Sequence, residues 1–170
     1  MLFQNPAIAL EALPQLTQYE THKPEKGLLR LSIIGASIFV FFLLIGAVVM
    51  SIVPVPGTLV LISWLMFAVA TGLIYLSVVK NFHRKAYSLR EHDLTYQSGW
   101  LWHSVTTVPF TRVQHVEVDQ GPIERSLELA TLKIFTAGGS SSDLSIPGLL
   151  PEKANQLKTF ILQKVSGHDA

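Results

Sequence analysis

Residues 31–79 read LSIIGASIFVFFLLIGAVVMSIVPVPGTLVLISWLMFAVATGLIYLSVV, 49 consecutive positions without one Asp, Glu, Lys, Arg or His. A helix that crosses the hydrocarbon core, about 30 Å thick, needs roughly 20 apolar residues. The stretch holds two such lengths, residues 31–53 and 58–79, separated by Pro54-Val55-Pro56-Gly57. Two prolines and a glycine stop a helix and favour a turn. Helices joined by so short a link run antiparallel, so the segment reads as a transmembrane hairpin with both ends on one side.

The flanks say which side. Lys23, Lys26 and Arg30 precede the first span, Lys80, Arg84, Lys85 and Arg90 follow the second, and the connecting turn has no basic residue. The positive-inside rule then places both termini in the cytoplasm, with the hairpin as a multi-pass anchor in the cell (inner, cytoplasmic) membrane. A cleaved signal peptide is not expected, because the first 30 residues are polar, include Glu11, Glu20 and Glu25, and lack an early apolar core. The spans carry no ionisable group, so they offer no proton relay, ion path or voltage sensor. Ala68 and Gly72, four apart, are expected to pack within the hairpin rather than against another chain.

Outside this stretch the chain has ordinary soluble composition. All 13 basic and 12 acidic side chains of the 170 residues lie there, for a net charge of +1. The positive charge is a juxtamembrane cluster at Lys26, Arg30, Lys80, Arg84 and Lys85, whereas residues 86–170 hold seven basic against nine acidic side chains. A basic face for nucleic acid is therefore excluded, since neutralising phosphates needs clustered Lys and Arg. The collar can attract anionic membrane lipids. Cysteine is absent, which removes disulfides, thiolate metal sites and a cysteine nucleophile.

Residues 86–170 read as short strands closed by a helix. Strands are predicted at residues 86–90, 94–97, 100–108, 111–118, 131–135 and from Leu144, with a helical turn within residues 123–129. Val113 is out of phase with Val116 and Val118, which predicts a bulge near Gln114 and His115. After Pro151, the residues Ala154, Leu157, Ile161 and Val165, with Phe160 beside them, form one apolar stripe at helical spacing, and Gly167 stops it. This is a mainly-β barrel or bent sandwich with a C-terminal helix across one end.

Three segments carry a family likeness: Val108-Pro109-Phe110-Thr111-Arg112-Val113-Gln114-His115-Val116, then Gln120-Gly121-Pro122-Ile123-Glu124-Arg125, then Leu129-Ala130-Thr131-Leu132 on to Thr136-Ala137-Gly138-Gly139. Together they resemble the bacterial pleckstrin-homology-like (PH-like) domain family. The whole arrangement resembles its YdbS-type membrane proteins, in which two transmembrane helices precede one such domain. The likeness covers residues from about 28 to 165. It implies a membrane protein whose transmembrane hairpin is followed by a seven-stranded PH-like barrel capped by the C-terminal helix. It also implies no catalytic activity, and a membrane partner carrying several such domains. The family often has Gly just before the Leu129-Ala130 pair, where this chain has Glu128. The organisation expected is residues 1–27 as a cytoplasmic N-terminal segment, 28–85 as the hairpin with basic flanks, and 86–170 as a cytoplasmic PH-like domain.

Candidate sites are few. The turn after the first strand holds Glu91, His92 and Asp93 with Arg90 as its one cation, so a phosphoinositide site of the eukaryotic kind is not expected. Arg112 and Arg125 can hold an anion through their planar forks, or pair with Glu117, Asp119, Glu124 or Glu128 to fix a corner. Trp100 and Trp102, two apart on one predicted strand, suit the barrel interior, with the bilayer interface as the other placement. His103 and His115 read as structural rather than metal-binding. The Gly138-Gly139-Ser140-Ser141-Ser142 run lacks the Lys and the following helix of a phosphate-binding loop. No catalytic, cofactor or metal residues are assigned, and no enzyme is expected.

The function expected is a non-catalytic, membrane-anchored binding or scaffolding module at the cytoplasmic face that assembles with membrane partners. The alternative is a subunit of a membrane transport or resistance assembly whose transmembrane hairpins form the functional surface. Self-association stays open. Residues 1–27 have no assigned role, although Phe3, Ile8, Leu10 and Leu13 make a short apolar series.

Overall fold

The computed structural model of the chain describes residues 20–137 and 142–166. Two long helices come first, α1 (Lys26–Ile52) and α2 (Gly57–Arg84), joined across Val53–Pro56. At 1.5 Å per residue their 27 and 28 residues span about 40 Å each, more than a hydrocarbon core requires. The excess is the polar end of each helix, which carries Lys26 and Arg30 on α1 and Lys80 and Arg84 on α2. Between the helices the Ser37 and Tyr75 hydroxyls meet at 2.9 Å, and the Trp64 indole N–H donates to Ser51 Oγ at 3.1 Å. Ala68 and Gly72 do not pack within the hairpin as expected. Both are exposed, and a Cβ on Gly72 would meet nothing within 4 Å. The inward face of α2 runs instead through Ser63, Phe67 and Ala70, which line one cleft with Leu43, Ala47 and Met50 of α1, and at 100° per residue Ala68 and Gly72 fall on the outward side.

Lys85 alone separates α2 from the barrel. Strands β1 (Ala86–Leu89), β2 (Asp93–Ser98) and β3 (Ser104–Pro109) form one antiparallel sheet in that order. Strands β4 (Val113–Asp119), β5 (Ala130–Thr136) and β6 (Leu144–Leu149) form the second. A 3₁₀ turn, Phe110–Arg112, joins the sheets, and the short helix α3 (Pro122–Ser126) lies between β4 and β5. The register of β4 on β5 shifts between Val113 and His115, at the bulge predicted from the phase of Val113. Six strands occur among the described residues, where the family likeness implies seven.

Apolar side chains from both sheets fill the core: Leu94 and Val108 from the first, Val116, Leu132, Ile134 and Ile146 from the second. Helix α4 (Pro151–Ser166) closes one side with Ala154, Leu157 and Ile161, the predicted stripe, while Phe160 meets Phe110 edge-on at 6.1 Å between ring centres. Lys164 of α4 reaches Glu91 in the β1–β2 turn at 3.7 Å, which places the end of α4 beside that turn.

One predicted strand begins later than expected. Residues 100–108 alternate in β-branched and aromatic residues, yet β3 starts at Ser104 and residues 99–103 are a turn. Gly99 has φ +100°, and a Cβ there would stand 1.7 Å from the Trp102 carbonyl oxygen. The chain closes on itself at that glycine, so Trp100 and Trp102 are turn residues and share no strand face. Glu128 adopts φ +53°, the left-handed conformation for which the family often uses Gly.

The segment before α1 is fastened to the barrel. His22 and Tyr87 exchange two backbone hydrogen bonds, His22 N–H to Tyr87 O at 2.7 Å and Tyr87 N–H to His22 O at 2.8 Å. The Glu25 N–H donates to Gly148 O at 2.8 Å. Leu28, 4% exposed, lies on Gly148, and buried Leu129 lies over Gly27. Residues 20–28 thus join the barrel to the root of the hairpin. Phe3, Ile8, Leu10 and Leu13 lie outside the described residues.

Candidate functional site

The end of the barrel nearest the helices gathers most of the residues singled out above. Strand β1 leaves α2 through Lys85, and β2 returns antiparallel beside it, with Gln97 opposite Ala86. β2 also packs against α2, and β6 against α1. The β2–β3 turn, residues 99–103, therefore projects past Ala86 toward the helices. Trp100 is half-buried, but Leu101 is 73% and Trp102 87% exposed. The barrel-interior placement of the indole pair is thus overturned for Trp102.

The basic collar surrounds the same end. Lys26, Arg30, Lys80 and Arg84 are exposed, and none has an acidic partner within 4 Å among the described residues. Lys85 is half-buried at the junction, and desolvation there lowers its ammonium pKa from 10.5.

Arg112 and Arg125 are not brought together with the carboxylates considered for them. Both are exposed and lack an acidic partner within 4 Å among the described residues. Three of their four would-be partners are engaged elsewhere. Asp119 pairs with Lys133, Glu117 Oε1 lies 2.9 Å from His115 Nε2, and Glu124 accepts from the Gly121 N–H at 2.8 Å and from Thr131 Oγ1 at 2.9 Å. Glu124 thereby ties the start of α3 to β5, the role first considered for the arginines. At the β1–β2 turn Arg90 pairs with Asp93 at 3.5 Å.

His115 stacks obliquely on Phe135 at 5.6 Å, and no group of three or more metal-ligating side chains occurs among the described residues. Of the Gly138–Ser142 run, residues 138–141 lie outside the described residues. Beyond it Asp143 accepts from the Thr136 N–H at 2.8 Å and Thr136 Oγ1 at 2.6 Å, which holds its pKa below 3.8.

A feature with no local signature in the sequence is a shallow groove of about 260 Å³ between the His22 segment, β1 and α4. It is lined by His22, Tyr87, Leu89, Lys153, Leu157 and Phe160, with the Lys153 ammonium 5.7 Å from the centre of the Tyr87 ring. One of its walls is His22, which pairs with a strand 65 positions later.

Comparison with known proteins matches this architecture. The family model described as Bacterial PH domain matches residues 29–165. The UPF0699 transmembrane protein YdbS of Bacillus subtilis (strain 168) is 37% identical over 108 residues, which is 62% of this chain and 65% of that protein. The match thus spans just under two thirds of that relative's length. A crystal structure of a DUF1696-family protein with a pleckstrin-homology domain, from Shewanella loihica PV-4, is similar over 49% of this chain and 73% of its own, with 16% identity and a TM-score of 0.39.

Proposed function

The chain belongs to the bacterial PH domain family, and from that premise we propose that it is a non-catalytic, membrane-anchored binding module. Its barrel works at the cytoplasmic face of the cell membrane and assembles there with membrane proteins. The observation that carries the proposal is the fastening of the barrel to the hairpin's root through His22, Glu25 and Leu28. A barrel so held presents constant surfaces to neighbours in the same bilayer, where tethering raises effective concentration and modest contacts suffice. The seven basic residues flanking the hairpin against none in its turn support the cytoplasmic orientation.

The outer edge of β3 is the surface best suited to a partner. Among the described residues β3 pairs only with β2, and its sequence Ser-Val-Thr-Thr-Val-Pro has none of the charges that commonly guard an open edge. An extended segment of a partner can add there as a further strand. The partner proposed is a membrane protein carrying several PH-like domains of its own.

The test is affinity purification of the full-length protein in mild detergent, beside Val105→Lys and a chain with residues 31–79 replaced by an unrelated hairpin. The module reading predicts a co-purifying membrane protein that Val105→Lys loses and the hairpin replacement keeps. Loss on hairpin replacement with retention in Val105→Lys would instead support a transport or resistance subunit acting through its transmembrane surface. A protein that elutes alone contradicts the partner reading.

A further inference from the structure

We propose that the β2–β3 turn is a second membrane contact, in which Leu101 and Trp102 enter the headgroup layer of the bilayer that the hairpin crosses. This does not rest on the partner reading, since it concerns only the barrel's own standing on lipid.

Position comes first. The apolar span of α2 ends at Val79, and the five residues to Arg84 rise about 7.5 Å beyond it. Gln97 lies opposite Ala86, and the four residues from Gln97 to Leu101 run back toward the helices over at most about 13 Å of extended chain. The reach of the turn covers the height at which the barrel stands, and β2 lies against α2.

Exposure comes second. Among the described residues outside the two long helices, the other exposed large apolar side chains are between 39% and 46% exposed, whereas Leu101 is 73% and Trp102 87%. Gly99 closes the turn so tightly that it admits no Cβ, which puts Leu101 and Trp102 at its tip. The chemistry is third. An indole buries an apolar ring while its N–H bonds headgroup and carbonyl oxygens, the reason Trp collects at bilayer interfaces. No Asp or Glu occurs from residue 94 to 116, so the tip carries nothing that repels anionic lipid, and Lys80, Arg84 and Lys85 lie at the end of α2 where it enters β1.

The chain has no cysteine, so one introduced at Leu101 takes a nitroxide label at a single site. Gln163→Cys is the reference: it adjoins Lys164, which reaches the β1–β2 turn at the opposite end of those strands from the tip. Full-length protein is reconstituted in phosphatidylethanolamine–phosphatidylglycerol vesicles, and collisions with oxygen and a water-soluble nickel chelate are compared. The expected oxygen-to-nickel ratio at residue 101 is severalfold above that at 163, and Trp102→Cys gives the same ordering. A ratio at 101 equal to that at 163 puts the tip in water and overturns the proposal. Protection from both reagents means that a second copy or another protein covers the tip, and overturns it equally.

Discussion

Gly148 and Leu28 show how narrow the attachment is. Gly148 has φ +78°, and a Cβ there would stand 2.7 Å from Leu28 Cβ. Gly148→Ala therefore adds a left-handed backbone strain of about 1–2 kcal/mol to an overpacking cost of about 1–3 kcal/mol. We expect a loss of about 2–5 kcal/mol in denaturant unfolding of the full-length protein in micelles. Leu28→Ala alone costs about 2–5 kcal/mol by emptying a buried site. The double variant loses somewhat less than the two added together, because Leu28→Ala takes away Cδ2 and Cγ, at 2.8 and 3.0 Å from the new methyl, while Leu28 Cβ stays. Strictly additive losses would contradict the contact. Glu128 bears a similar strain with φ +53°, an L-residue where the family often has Gly.

The β5–β6 hairpin is bracketed by Asp143, whose carboxylate accepts two hydrogen bonds from Thr136. These hold its pKa below 3.8 in the folded chain. The bracket's contribution is therefore complete above the ordinary carboxyl range and is lost as pH falls through the depressed value. Carboxyl titration followed by NMR is expected to place Asp143 below 3.8, and Thr136→Val to return it toward 3.8. An unchanged midpoint in Thr136→Val would contradict this. Most elements were legible because their signals are local: the uncharged spans, the α4 stripe, and the phase break at Val113 that marks the bulge. The β2–β3 turn was not. Trp100 to Val108 alternates like a strand, and only the closure of Gly99 on the Trp102 carbonyl shows where the alternation stops meaning a ladder. The inward face of α2 was likewise not legible, because it runs through Ser63, Phe67 and Ala70, which the spacing of Ala68 and Gly72 did not carry.

Taken whole, the molecule is a PH-like barrel standing on a transmembrane hairpin and joined to it twice. The first joint, Lys85 between α2 and β1, is plain from the order of the elements. The second was not legible, because His22 and Glu25 hydrogen-bond residues 65 and 123 positions away, Leu28 packs on one 120 positions away, and the three show no periodicity. Of the candidate site, the basic collar was legible from charge alone. The freedom of Arg112 and Arg125 from their expected partners was not, since it depends on which side chain reaches Asp119, Glu117 and Glu124 first. Two joints fix a barrel where one would let it swing, and on this the presentation of β3 and of the Trp102 tip depends. The measurement is the distance between nitroxide labels at Lys80→Cys and Gln163→Cys, read by pulsed electron resonance on the full-length protein in a bilayer. A single narrow distribution is predicted, and a broad one, as from a barrel pivoting on Lys85, would contradict it.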